Sequence, residues 1–339
     1  MKTPNFIIGG TAAGGTSYLY ELLIQHSEVY LPKRRIPEPH YYYKSWEYAK
    51  GLEWYLKEYF SEASEDKRAV GERSSSYLYG GARVAQRIAK DFPQMKFIFM
   101  LRNPIQRAWG NYRFTALQGL EELSFYDAIK REKIRIKESH GIWSEIQPYD
   151  YTGRGFYAKQ LKEFLEFFPK EQILCIKSES LSNDNLEPLF KIYRFLGLLD
   201  TAFMPLPAPI HASPSVVSAK VQKELRDYFG GDKFRFLIND IRKEENVEIQ
   251  DKQKYLQLQE NLKGKKEAIP QDCEKILQEI FKFDIEELEK MVDFDVRSWQ
   301  TISGGGAFSR LFLFLYNLRG VLCELKSYIF ACIAHIIHF

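Results

Sequence analysis

Cysteine is scarce, with Cys175, Cys273, Cys323 and Cys332 the only four in 339 residues. They show no paired metal-ligand spacing and are too sparse for a disulfide framework in a chain of this length, so a reducing compartment is expected. The charge lacks a dominant sign. The 48 Lys and Arg stand against 45 Asp and Glu, a net +3, which gives no field of the kind that gathers nucleic acid, although a local cluster such as Lys33-Arg34-Arg35 can still meet an anion. The six histidines are scattered, and no carboxylate set is arranged for magnesium, so no metal is expected. A long clean apolar run is missing too. The longest, Ser327 to Phe339, falls short of the roughly 20 mostly uncharged residues of a spanning helix. The first apolar strand begins at Phe6, leaving no room before it for a signal peptide, and a cytoplasmic protein is expected.

Short β-branched or aromatic runs alternate with helix-period segments: Phe6 to Ile8 then Ser17 to His26, Lys96 to Leu101 then Ile105 to Leu117, and Ile173 to Lys177 then Leu186 to Leu196. This alternation predicts an α/β fold with a parallel sheet covered by helices on both faces. The main domain is expected over residues 1–302, with a charged helical insertion at about 235–267, where Asp240 to Glu267 carries dense charge of both signs and few large apolar residues. A glycine linker at Ser303 to Phe308 then leads into an apolar tail interrupted by Arg310, Arg319, Glu324 and Lys326. Residues 310–339 are expected to meet a membrane surface or a partner, making the protein peripheral on a membrane; packing of this tail on the domain's own surface is the alternative.

The stretch GGTAAGGTSYLYELL, Gly9 to Leu23, runs from the first strand through a glycine-rich turn into a helix. Such a turn presents backbone N–H groups and the positive end of the helix dipole to an anion. The spacing from Gly10 to Gly15 imitates the loop of nucleotide triphosphatases, but Thr16 stands where their lysine belongs, which weakens an ATPase or kinase reading. A second element supplies the missing context. In FIFMLRNPIQRAWGNYRF, Phe97 to Phe114, a strand ends in Arg102, Pro104 opens a helix, and residue 110 lies about two turns along. An arginine at the carboxyl end of a strand beside a nucleotide crevice is placed to pair with a second phosphate. Two phosphate sites suggest a bisphosphorylated nucleotide.

At these residues the chain resembles the sulfotransferases that use 3′-phosphoadenosine-5′-phosphosulfate (PAPS), in particular the branch with the heparan-sulfate and bacterial carbohydrate enzymes. The likeness runs from about Asn5 to Leu198 and resumes weakly at Ile269 to Trp299. It rests on GTAAGGTS, PEPHYYY and RNPIQRAWGNY in that order, with GERSSSYL and GRGFYAKQLKEFLEFFPKEQILCIKSESL in support.

The resemblance implies roles. The loop from Thr11 through Ala12, Ala13, Gly14 and Gly15 to Thr16 and Ser17 would hold the 5′-phosphosulfate end, using the amides of Ala13 to Thr16 and the hydroxyls of Thr16 and Ser17. Arg102 and the residue at 110, here Gly110, would hold the 3′-phosphate. Glu38 stands where the family keeps its catalytic base, its pKa expected to rise by partial burial among Tyr41 to Tyr43. His40 would orient Glu38 or bind the acceptor, a solvent-facing histidine being the alternative. Arg73 would contact an anionic sugar or the transferring group, an ordinary ion pair with Glu72 or another carboxylate being the alternative. Arg35 and Tyr41 would line the acceptor path, with core burial the alternative for the aromatic run. The implied product is adenosine 3′,5′-bisphosphate, and the implied acceptor is a hydroxyl or amine of a glycan. Three positions depart from the pattern: Ala13 replaces a loop lysine, Gly110 replaces a serine, and Pro37 replaces a basic residue before Glu38. A relative that binds the nucleotide or a sulfated glycan without turnover is therefore the alternative reading.

Overall fold

The computed structural model of the chain describes residues 2–33, 38–208, 214–242, 251–265 and 267–300. Arg34, Arg35 and Pro37, and the glycine linker and tail expected over 303–339, lie outside the described residues.

Five strands, β1 (Phe6–Gly10), β2 (Val29–Tyr30), β3 (Ala69–Arg73), β4 (Lys96–Leu101) and β5 (Ile173–Lys177), form one sheet in the order β2-β3-β1-β4-β5. Every pairing is parallel, as the alternation of apolar runs and helical segments predicts. Side chains alternate across β1 and β4, and both faces are apolar because helices cover both. Phe6 and Ile8 join Ile98 and Met100 in a layer with Leu19, Leu22 and Leu23 of the Thr16–Leu23 helix and Leu189 and Ile192 of the Glu187–Leu196 helix. Ile7, Phe97, Phe99 and Leu101 face the other way, where Phe164 and Phe168 pack.

β1 and β4 are neighbours whose chains leave in opposite directions across the sheet, toward β2 and β3 in one case and β5 in the other. Their carboxyl ends therefore flank the crevice where open parallel sheets hold ligands. The glycine loop follows β1 and Arg102 follows β4, so both phosphate-binding candidates open on that crevice.

The Pro104–Leu117 helix starts with Pro104 in its first turn, capped by Asn103, whose side chain accepts the Ile105 amide at 2.9 Å. The insertion is helical, as expected, but it begins earlier, at Ala219–Phe229, followed by Gly231–Arg242 and Lys252–Asn261. It also has an apolar cluster of its own, with Leu225, Phe234, Leu237, Ile238 and Leu258 packed on Leu117. At helical spacing these residues fall on shared faces, which a count of charges does not reveal.

Candidate active site

The loop is held by its own backbone. Thr11 is buried, and both its amide and its hydroxyl donate to the Met100 carbonyl at 3.0 Å, tying the loop to β4. Gly14 donates its amide to the Thr11 carbonyl at 2.9 Å. A Cβ on Gly14 would lie 2.3 Å from Thr11 Oγ1 and 2.8 Å from the Met100 carbonyl oxygen, so glycine alone fits. Gly15 begins the Thr16–Leu23 helix at φ +89°. That helix has no side-chain cap and no acidic residue in its first turn, which leaves its first-turn amides open to an anion. Within the expected phosphate loop, the Thr11 hydroxyl and the Gly14 amide thus serve the loop's shape, and the helix N-terminus at Thr16 and Ser17 remains as the donor end.

Arg102 Nη1 donates to the Ala13 carbonyl at 3.1 Å, and Tyr157 Oη donates to the Arg102 carbonyl at 2.9 Å. Gly110 comes to the same place: a Cβ there would sit 3.4 Å from both the Ala13 Cβ and Arg102 Nη1. Two of the departures from the family pattern, Ala13 and Gly110, therefore adjoin one another beside Arg102.

The register Ile7↔Glu72 and Ile8↔Arg73 sends the two charged residues of β3 to opposite faces of the sheet. Arg73 does not pair with Glu72. Its buried guanidinium crosses to the loop, where Nη1 donates to Ser17 Oγ, and lies 3.3 Å from Glu38 Oε1. Arg73 Nε is buried without a hydrogen-bond partner among the described residues.

Glu38 Oε2 accepts from Ser75 at both the amide, 3.1 Å, and the hydroxyl, 2.7 Å, and meets His40 Nε2 at 2.9 Å. Burial pushes the Glu38 carboxyl up, yet the Arg73 charge and the His40 and Ser75 hydrogen bonds outweigh it and hold the group well below the usual carboxylate range. The expected rise is thus reversed, because the cation that causes the reversal comes from a strand 35 residues further along the chain. His40 is not solvent-facing: burial, with help from nearby Lys44 and Arg154, lowers its pKa against the pull of Glu38. A neutral imidazole that donates from Nε2 keeps a bare Nδ1, and that atom is buried without a partner among the described residues.

Tyr41 is corrected as well. Its ring is 1 % exposed and stacks on Tyr55 at 4.3 Å, so it offers no face to an acceptor. Arg35 lies outside the described residues. Sequence reasoning missed Ser75, which grips Glu38, and Arg154, which donates to Ser76 Oγ at 3.3 Å and lies 4.1 Å from the Tyr79 ring. The run Ser74-Ser75-Ser76 directly after a charged strand end was the available signal.

The model of the sulfotransferase domain family matches residues 3–204. The chain is 31 % identical over 198 residues to human heparan sulfate glucosamine 3-O-sulfotransferase 3B1, covering 58 % of this chain and 47 % of that protein. It is 30 % identical over 201 residues to the mouse heparan sulfate glucosamine 3-O-sulfotransferase 5, covering 58 % and 54 %. The match thus spans about half the length of these curated relatives. Among solved structures, a sulfotransferase from Alicyclobacillus acidocaldarius superposes with a TM-score of 0.62 at 23 % identity, over 89 % of this chain and 100 % of that one, a likeness of fold.

Proposed function

The chain belongs to the sulfotransferase domain family, and we propose that it moves a sulfuryl group from PAPS to a hydroxyl or amine of a glycan, releasing adenosine 3′,5′-bisphosphate. One observation carries this reading: a single buried guanidinium, Arg73, touches both the carboxylate at 38 and the loop hydroxyl at 17, and its Nε is without a hydrogen-bond partner among the described residues. Donor loop and candidate base are thereby joined through one positive charge. The relatives named for heparan sulfate support a glycan as the acceptor class.

The residues present suit the donor. The uncapped helix at Thr16 and Ser17 fits one phosphate, and Arg102 fits the other. When bound, PAPS supplies an activated sulfuryl group. Glu38 takes the proton of the acceptor O–H or N–H as that atom forms its bond to sulfur and the bond from sulfur to the phosphate oxygen breaks. His40 and Ser75 hold the carboxylate in place, and Arg73 offsets the negative charge that gathers on the oxygens between acceptor and leaving group.

The test is a transfer assay with labelled PAPS and a panel of glycans, beside calorimetry with adenosine 3′,5′-bisphosphate. Glu38→Gln should lower transfer roughly hundredfold or more while nucleotide binding persists. Wild-type protein that neither binds the nucleotide nor labels any acceptor overturns the reading. A second reading, a relative that binds the nucleotide or a sulfated glycan without turnover, draws on the adjoining Ala13 and Gly110, which leave the loop without a cation of its own and the facing helix without a hydroxyl at that position. Tight nucleotide binding with no product across the panel would select it.

We propose further that the apolar tail at 310–339 brings the domain to a membrane surface or a partner. If the full chain and one truncated after Ser303 partition identically with liposomes, the membrane version fails.

A further inference from the structure

Glu72 is fully buried at the carboxyl end of β3, and none of the ion pairs found among the described residues includes it. A carboxylate in such a place is costly unless donors surround it. It has three. Tyr55 Oη and Tyr77 Oη both donate to Oε1 at 2.8 Å, and Ser74 Oγ donates to Oε2 at 2.6 Å. Two of these hydroxyls reach onward to the segment that carries the candidate base. Ser74 Oγ accepts the His40 amide at 2.8 Å, and Tyr77 Oη accepts the Tyr42 amide at 3.1 Å.

The direction of each bond follows from what each group can do. In its ionised form a carboxylate only accepts, whereas a hydroxyl has one proton and two lone pairs, so the arrangement that follows is that of ionised Glu72. By taking the protons of Ser74 and Tyr77, Glu72 turns their lone pairs toward the two amides. We propose that Glu72 is a positioning residue for the sulfuryl transfer inferred above: through Ser74 and Tyr77 it clamps the backbone at His40 and Tyr42, and so sets where Glu38 and His40 stand. Pure packing would not require this chemistry, since a neutral side chain fills the same space without burying a charge. His40 also has φ +50°, a conformation that a side chain other than glycine keeps only when its surroundings impose it.

The inference rests on the proposed function for its effect on rate, but the clamp can be read without any substrate. Hydrogen–deuterium exchange with fragmentation to single amides should show His40 and Tyr42 exchanging tenfold or more faster in Glu72→Leu, which removes both acceptor oxygens where a glutamine would keep one. In the transfer assay the same variant should lose tenfold or more in kcat while the affinity for adenosine 3′,5′-bisphosphate stays within twofold. The pair Ser74→Ala/Tyr77→Phe should match that loss, and adding Glu72→Leu to the pair should cost little more, because all three changes cut one connection. Unchanged exchange at both amides overturns the proposal, as does a triple variant that loses far more than the pair. Should Glu72→Leu fail to fold, the single variants decide: Ser74→Ala must release His40 and Tyr77→Phe must release Tyr42. A wild-type protein without transfer activity overturns the functional reading, and the exchange data still judge the clamp.

Discussion

Arg73 Nη1 lies 3.3 Å from Glu38 Oε1 while donating to Ser17 Oγ, so one guanidinium bridges the carboxylate and the glycine loop. Removing it has two consequences of different kinds. Arg73→Ala should lower transfer roughly hundredfold, the usual scale for losing a charge-stabilising group. It should also shift the pH profile. Burial raises the Glu38 pKa and Arg73 is the leading opposing influence, so the acid limb of kcat/KM must move to higher pH in the variant. An acid limb that stays in place would show that Arg73 does not govern the carboxylate.

Ala13 and Gly110 share one space beside Arg102. Ala13→Lys returns a cation to the loop and should raise sulfuryl transfer, measured at steady state with labelled donor. A rate that is unchanged or lower counts against a vacant cation position. Gly110→Ser adds a hydroxyl with its Cβ 3.4 Å from Arg102 Nη1. It should tighten adenosine 3′,5′-bisphosphate by several-fold, about 1 kcal/mol for one added hydrogen bond. Calorimetry on the two single variants separates the loop's part in rate from the helix's part in binding.

Much of the frame is legible in the chain because apolar runs declare buried strands. The bounds expected for β4 and β5 match those observed, and Asn103 with Pro104 marks a helix start. β3 escapes for a physical reason: Glu72 and Arg73 make it read as a polar segment, although all five of its residues are buried. Their charges are met by tyrosines, serines and Glu38 brought from elsewhere, and such partners are invisible along the chain. The same gap explains the reversed shift at Glu38. Tyr41 misled because an aromatic next to a functional motif looks like a binding surface, and only the fold reveals that Tyr55 covers it.

Gly14 is the position where the loop tolerates least. A methyl group would overlap Thr11 Oγ1 and crowd two carbonyl oxygens, those of Thr11 and Met100, and the backbone cannot swing away as the tip of a long side chain can. Gly14→Ala should cost about 1–3 kcal/mol, seen as a melting temperature lower by roughly 1–5 °C. Nucleotide binding should weaken with it, since the Gly14–Thr11 bond sets the turn that delivers the chain to the Thr16–Leu23 helix. A variant that melts and binds like wild type would mean that the turn can open without loss.

Glu72 should leave a signature in the pH dependence of stability. Burial raises its pKa from 4.5 to about 7, against the hydrogen bonds from Ser74, Tyr55 and Tyr77 and with the nearby Glu38 charge adding to the rise. A carboxyl with a higher pKa folded than unfolded keeps its proton in the native state over a range where the unfolded chain has already released it. The native state binds more protons there, so stability falls as pH climbs from about 4.5 to about 7 and is level above. A shift of this size corresponds to about 3 kcal/mol. Glu72→Gln cannot titrate, so urea unfolding at a series of pH values should show the wild type losing that much more stability than the variant across the window. Two parallel curves would mean that Glu72 is already ionised throughout, its three donors having compensated its burial in full.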